Sequence, residues 1–144
     1  MYILDTDHMS LLERGGPESE QIRSCLRLIP QDDVATTIVS YEEQTRGWLG
    51  RIAQFSDPER QVVLYAKLKQ QLQNYCRVAV LDFDERSAQK LVTLQKAKLR
   101  IGTMDLKIAA ITLANGATLV TRNLSDFGKV PELVLEDWSW ERES

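Results

Sequence analysis

A chain of 144 residues has the length of one ordinary domain and can bury most of the surface its unfolded form would expose. Its hydrophobic fraction of 43% and charged fraction of 27% exclude a disordered or fibrous protein. A formal net charge of −3 excludes a grip on nucleic acid through bulk positive charge.

No run of about 18 apolar residues is present, and the amino terminus lacks the basic flank and long apolar core of a signal peptide. The expectation is a single domain over 1–144, soluble, cytoplasmic and away from membranes. Cys25 and Cys76 belong to no C-x-x-C or Cys/His cluster and read as reduced, half-buried small residues. His8 is the only histidine, which removes histidine-based metal sites; it reads as a partner near a helix start, with active-site contact, because it lies close to Asp5, as the second reading.

Tyr2 to Leu4 predicts a short buried strand that stops at Asp5, and Met9, Leu11 and Leu12 a helix of about two turns closed by Gly15-Gly16-Pro17. Ile22, Cys25, Leu26 and Ile29 recur at helical spacing until Pro30. Val34 to Val39 is apolar and β-branched and predicts a second strand. Ser40 then opens a helix with the stripe Tyr41, Thr45, Trp48, Leu49 and Ile52. Ser56-Asp57-Pro58 marks a turn and a helix start, and the helix that follows carries Tyr65, Leu68, Leu72 and Tyr75. Val78 to Leu81 is a third strand, Asp84 an N-cap, and Ala88, Leu91 and Val92 the buried face of the next helix.

Gly102 breaks that helix and Thr103 begins another. Met104 to Ala114 is apolar on more than one face and predicts a largely buried helix, ended by the turn Asn115-Gly116. Ala117 to Val120 is a fourth strand and Leu133 to Leu135 a short fifth. Strands alternating with helices imply an α/β fold with a mostly parallel sheet of four or five strands covered on both sides. Arg86, Lys90, Lys96, Lys98 and Arg100 form a stretch free of acids. It reads as a solvated helix face, or, because it runs up to Asp105, as a phosphate-attracting segment. The acidic aromatic tail, about 132–144, reads as packing its tryptophans on the core or as part of a partner contact.

A parallel sheet delivers all its strand ends to one edge, where residues distant in sequence meet. Asp5, Glu42 or Glu43, Asp105 and Asp126 all fall where strands end and helices start. Each has a bland explanation: a turn former at Asp5, a capping box from Ser40 to Glu43, a helix-dipole acid at Asp105, a turn cap at Asp126. Together they would repel unless a cation sat among them. An oxygen-only set favours Mg²⁺ or Mn²⁺ over zinc.

Across Leu4-Asp5-Thr6-Asp7, Glu42 to Gly47, Gly102 to Ala110 and Leu119 to Phe127 the chain resembles the PIN-domain ribonucleases, and among them the VapC-type toxins of bacterial toxin–antitoxin pairs. The resemblance implies a three-layer α/β/α sandwich, a helical insert at about 51–77, metal-dependent hydrolysis of RNA, a small antitoxin protein as partner, and a homodimer. It implies metal-binding acids at Asp5, Glu43 and Asp105, with Glu43 preferred over Glu42 because Gly47 follows four residues later. Asn123 stands where many relatives carry aspartate, which leaves Asp126 as the fourth acid. Thr6, Thr121 and Asn123 would orient the carboxylates, and Arg46, Lys98, Arg100 and Arg122 would contact phosphate. The competing readings are a catalytically silent PIN-like module that binds nucleic acid or protein, and an aspartyl-phosphate phosphatase with Asp5 as nucleophile.

Overall fold

A computed structural model describes residues 1–140 of the chain. Five strands, β1 (Tyr2–Leu4), β2 (Val34–Thr37), β3 (Ala79–Leu81), β4 (Thr118–Val120) and β5 (Val134–Glu136), form one sheet in the order β3-β2-β1-β4-β5. Every neighbouring pair is parallel, with Tyr2 opposite both Val34 and Thr118. The helices are α1 (Thr6–Arg14), α2 (Pro17–Leu26), α3 (Ile38–Ala53), α4 (Pro58–Tyr75), α5 (Glu85–Lys96), α6 (Thr103–Ala114) and α7 (Leu124–Phe127).

The central strand shows how three residues suffice. Successive side chains point to opposite faces. Ile3 joins the cluster built by Leu91 and Leu94 of α5 and Leu106, Ile108, Ala109 and Ile111 of α6, whereas Leu4 joins the one built by Met9 and Leu11 of α1, Ile22 of α2 and Tyr75 of α4. Both faces of the sheet are therefore covered, as an all-parallel sheet requires. Helix α6 is buried on most of its surface, as its all-round apolar sequence predicts. Gly116 sits at φ +59°, a left-handed position that favours glycine, and turns the chain from α6 into β4.

Several boundaries differ from the sequence reading: α5 ends at Lys96, well before Gly102, and β3 and β4 each start one residue later than expected. The β-branched run Val34 to Val39 splits, because Thr37 is extended and its Oγ1 accepts the Ser40 amide at 3.0 Å, so α3 starts at Ile38. Thr37 is thus the N-cap and Ser40 lies within the first turn. The fifth strand is Val134–Glu136, one residue later than expected. Asp84 caps α5 through the Ser87 amide at 2.9 Å, and Pro58 opens α4 behind its cap Asp57.

Burial corrects three further readings. On α5 the hidden face is Ser87, Leu91 and Leu94, and Val92 is 50% exposed. On α3, Ile52 is buried but Leu49 is exposed. Cys25 is partly buried, whereas Cys76 is exposed because it ends α4 at the surface; no disulfide joins them. In the tail, Trp138 is buried against Tyr2 with ring centroids 5.3 Å apart, and Trp140 is exposed. Glu141 and Glu143 lie outside the described residues, among which no helix is long and apolar enough to cross a membrane.

The burial pattern of α5 predicts that Leu94→Ala destabilises the chain by about 2–5 kcal/mol in chemical denaturation, while Val92→Ala stays within about 0.5 kcal/mol of wild type. Equal losses would put α5 in the wrong rotation.

Candidate active site

The chain runs β1, β2, β3 outward on one side of the sheet, then returns to lay β4 and β5 on the other, so the strand order reverses at β1. Ligands bind at the carboxyl edge of such a switch point. Helix α6 leads into β4 and runs against it, so its first turn, with Asp105, lies at the same edge. Asp5, Glu43, Asp105 and Asn123 line one pocket of about 850 Å³ there.

Asp5 is 5% exposed and its position is fixed from three directions. Its amide extends the sheet by donating to Val120 O at 3.0 Å. Its Oδ1 caps α1 by accepting the His8 amide at 2.8 Å, and the same oxygen accepts from His8 Nδ1 at 3.2 Å. His8 is fully buried, and its Nε2 accepts the Trp138 amide at 3.3 Å. Because a backbone amide only donates, Nε2 is the bare nitrogen and Nδ1 carries the proton. Asp137 Oδ1 lies 3.6 Å from Nε2, but that oxygen is already taken by the amide and hydroxyl of Ser139. With Oδ1 saturated, Asp5 Oδ2 is left for a ligand.

Glu43 stands six residues past the cap of α3. A capping box is therefore ruled out by geometry. Its Oε1 instead accepts from Thr6 Oγ1 at 2.5 Å, which ties it to the residue after Asp5. Glu42 pairs with Arg46 at 2.7 Å. The carboxyl of Asp105 is pushed up from 3.8 to about 6, first by burial, then by repulsion from Glu43, Asp5 and Asp126. Repulsion that reaches a group from three directions places the acids within one field.

Asp126 behaves differently. Asn123 caps α7 by accepting the Asp126 amide at 3.2 Å and its Nδ2 donates to Asp126 Oδ2, while Lys129 Nζ lies 3.4 Å from Oδ1. These partners hold the Asp126 carboxyl below its ordinary value. Asp7 is likewise neutralised, by Arg122 at 2.8 Å and Arg14 at 3.8 Å. Among the described residues, Asp5, Glu43 and Asp105 have no lysine or arginine within salt-bridge distance. As the side chains stand, no three Asp, Glu, His or Cys groups among the described residues are close enough together to hold a metal ion. The donor set is all oxygen, with unpaired charge, and it fits a hard divalent cation.

Thr121 is buried, and its Oγ1 holds the turn after β4 by accepting the Asn123 amide at 3.0 Å. The expected phosphate contacts lie elsewhere: Arg46 and Arg122 are engaged in the pairs just described, and Lys98 and Arg100 are exposed in the loop between α5 and α6, at φ 52° and 59°. None of the four lines the pocket. The cations that do are Arg14, Arg51 and Lys67, with Trp48 beside them. Helical spacing carried that signal: Thr6, Ser10, Glu13 and Arg14 recur on one face of α1, as do Glu43, Gly47 and Arg51 on α3.

The raised carboxyl of Asp105 has a consequence for stability. An acid held above its unfolded value stabilises the fold fully below about pH 3.8 and loses that contribution as pH rises through about 6. Without added metal, this group lowers the thermal midpoint across that window; Asp105→Asn flattens the decline, and Mg²⁺ or Mn²⁺ restores more stability at pH 7 than at pH 4. Thermal melts of both proteins with and without metal check this, and parallel pH profiles would refute it.

Residues 2–133 match the PIN domain family. The chain is 27% identical over 145 residues to ribonuclease VapC1 of Haemophilus influenzae, covering 96% of this chain and 98% of that one. A stretch of 66 residues is 36% identical to ribonuclease VapC2 of Rickettsia felis, 43% of this chain against 49% of the relative, so it spans about half that protein's length. The crystal structure of VapBC2 from Rickettsia felis bound to a DNA fragment from its promoter superposes with a TM-score of 0.71 at 25% identity, covering 95% of this chain and 98% of that one. With the match running from β1 to the residue before β5, this chain belongs to the PIN domain family.

Proposed function

We propose that this chain is a metal-dependent endoribonuclease that hydrolyses RNA phosphodiester bonds in the cytoplasm, and that it is the toxin of a toxin–antitoxin pair. The observation that carries the reading is the set of three acids, Asp5, Glu43 and Asp105, gathered at the switch point with no internal cation while Asp7 and Asp126 beside them are paired. Full-length likeness to a protein named as a ribonuclease, and a neighbour solved as a VapBC complex on promoter DNA, support the activity and the partner.

In this reading Asp5, Glu43 and Asp105 hold Mg²⁺ or Mn²⁺, and Asp126 acts at longer range through its charge. The cation supplies polarisation of the phosphoryl oxygen and acidification of an attacking water. Asp5 Oδ2 is aimed by the two bonds on Oδ1, Glu43 is turned inward by Thr6, and Asn123 closes the wall opposite. No histidine base is required, because His8 is enclosed and both its nitrogens are engaged. An antitoxin that covers the carboxyl edge would silence the enzyme. Homodimerisation is part of the same reading, and the apolar residues Val62, Val63, Tyr65 and Leu72 that α4 leaves more than half exposed are its support.

Purified protein with RNA and Mg²⁺ or Mn²⁺ should cleave, and excess chelator should stop it. Asp5→Asn and Asp105→Asn should each lower the rate by about a hundredfold or more, the several kcal/mol that a metal contributes, with circular dichroism unchanged. Cleavage that survives chelator would sink the reading. A catalytically silent module would bind RNA in all three forms and cut it in none.

His8 provides a finer test. His8→Leu removes the donor to Asp5 and should lower cleavage by about 10–100-fold, as loss of an outer partner to a ligand does, and should weaken Mn²⁺ binding measured by electron paramagnetic resonance. His8→Asn puts an amide nitrogen where Nδ1 stood and should retain most of both. Equal defects in the two variants would reduce His8 to a packing residue.

A further inference from the structure

The pocket is lined by two kinds of side chain: the acids already described, with Asp7 and Glu13, and Trp48 with the cations Arg14, Arg51 and Lys67. Trp48 lies five residues after Glu43 on α3, about 7.5 Å further along the helix axis. Two of the three tryptophans differ in kind, and the third, Trp140, is exposed. Trp138 is buried and its Nε1 donates to Glu136 Oε2 at 3.2 Å, the usual arrangement for a structural indole. Trp48 is partly buried, faces the pocket, and gives its indole proton to no described residue.

The surroundings of Trp48 are those of a platform. The Arg51 guanidinium stands 5.1 Å from its ring centroid. Gly47 lines the pocket next to it in sequence, and a Cβ there would meet nothing within 4 Å. Among the described residues neither Arg51 nor Lys67 has a carboxylate within salt-bridge distance, although Lys67 lies in the field of Glu13. A guanidinium at a planar aromatic, with a second cation in the same pocket, matches the chemistry of a nucleotide, with a π face to stack and phosphate to hold.

We propose that Trp48 and Arg51 form a stacking subsite for one nucleobase of the substrate strand, with Lys67 on a neighbouring phosphate. The inference rests on the ribonuclease reading and adds residues of this chain that position the strand. Stacking is tolerant of base identity. The subsite therefore holds a base without selecting which base it is.

The test is the affinity of full-length Asp5→Asn protein for a short labelled single-stranded RNA, measured by fluorescence anisotropy. Trp48→Ala should weaken binding by about tenfold or more and Trp48→Phe by less than about threefold, from the usual strength of one base on one aromatic ring. Single abasic sites walked along the RNA should reveal one position that costs wild-type Trp48 protein the same factor and costs Trp48→Ala nothing further. Arg51→Ala and Lys67→Ala should flatten the salt dependence, and Lys98→Ala should leave it unchanged.

Unchanged RNA affinity in Trp48→Ala, with cleavage by the wild-type protein intact, would overturn the subsite and leave the ribonuclease standing, as would a Trp48 whose replacement affects only the grip of a protein partner. If Trp48→Ala does not fold, the abasic walk on the Asp5→Asn protein decides alone: no sensitive position overturns the proposal. Failure of the wild-type protein to bind or cut any RNA would strike the ribonuclease reading itself.

Discussion

One oxygen atom, Oδ1 of Asp5, accepts from both the amide and the ring of His8, and this double bond is the constraint to which the rest of the edge is fitted. The same residue ends β1, extends the sheet through Val120 and begins α1. An exposed aspartate would rotate freely about its side-chain bonds. Here that freedom is removed by burial and by His8, which is itself anchored to Trp138 in the last described segment of the chain. The first helix and the segment after β5 thus meet behind the acid. The C-terminal segment from Asp137 to Trp138 contributes to the site by holding the ring that holds the carboxylate.

The second determinant is which acids are left without a cation. Asp5, Asp7, Glu43, Asp105 and Asp126 are five of the carboxylates near the carboxyl edge. Asp7 is matched by Arg122 and Arg14, and Asp126 by Lys129 and the Asn123 amide. The remaining three face one another, and the cost is visible at Asp105, whose proton is held up to about pH 6. Position at the start of α6 works in the opposite sense, since a helix N-terminus favours the charged form. Such an arrangement is unfavourable in isolation and becomes favourable when a divalent ion is added, which is the relation expected between a binding site and the fold that carries it.

How far the sequence carried this picture depended on the range of the forces involved. Period and punctuation located all five strands and the main segments of α1 to α6, because apolar faces and Gly/Pro breaks act locally; the single turn α7 was read only as a turn at Asp126. The end of β2 was misread because Ile38 and Val39 have strand-like side chains, while the decisive event, the Thr37 hydroxyl accepting the Ser40 amide, is a single hydrogen bond. Asp5, Glu43 and Asp105 were legible from topology and from the family pattern. The roles of Asp7 and Asp126 were not, since their partners Arg122 and Lys129 matter only once the turns are folded. Lys98 and Arg100 drew attention as a basic run, but density of charge along a chain does not fix the direction in which it points.

The same distinction resolves the apparent conflict between a chain of net charge −3 and an RNA substrate. At physiological ionic strength, fields between exposed charges fade over about 8 Å. What a phosphate meets is therefore the pocket, not the average protein. Within it, α3 places Glu43 near its start and Arg51 two turns later, with Trp48 between them. In the proposed reading an anionic strand would be drawn to the cationic end, and a divalent ion held by the acids would let a phosphate approach the acidic end. A single helix would then couple the grip on the strand to the metal site, with two side-chain stripes and no bulk positive charge.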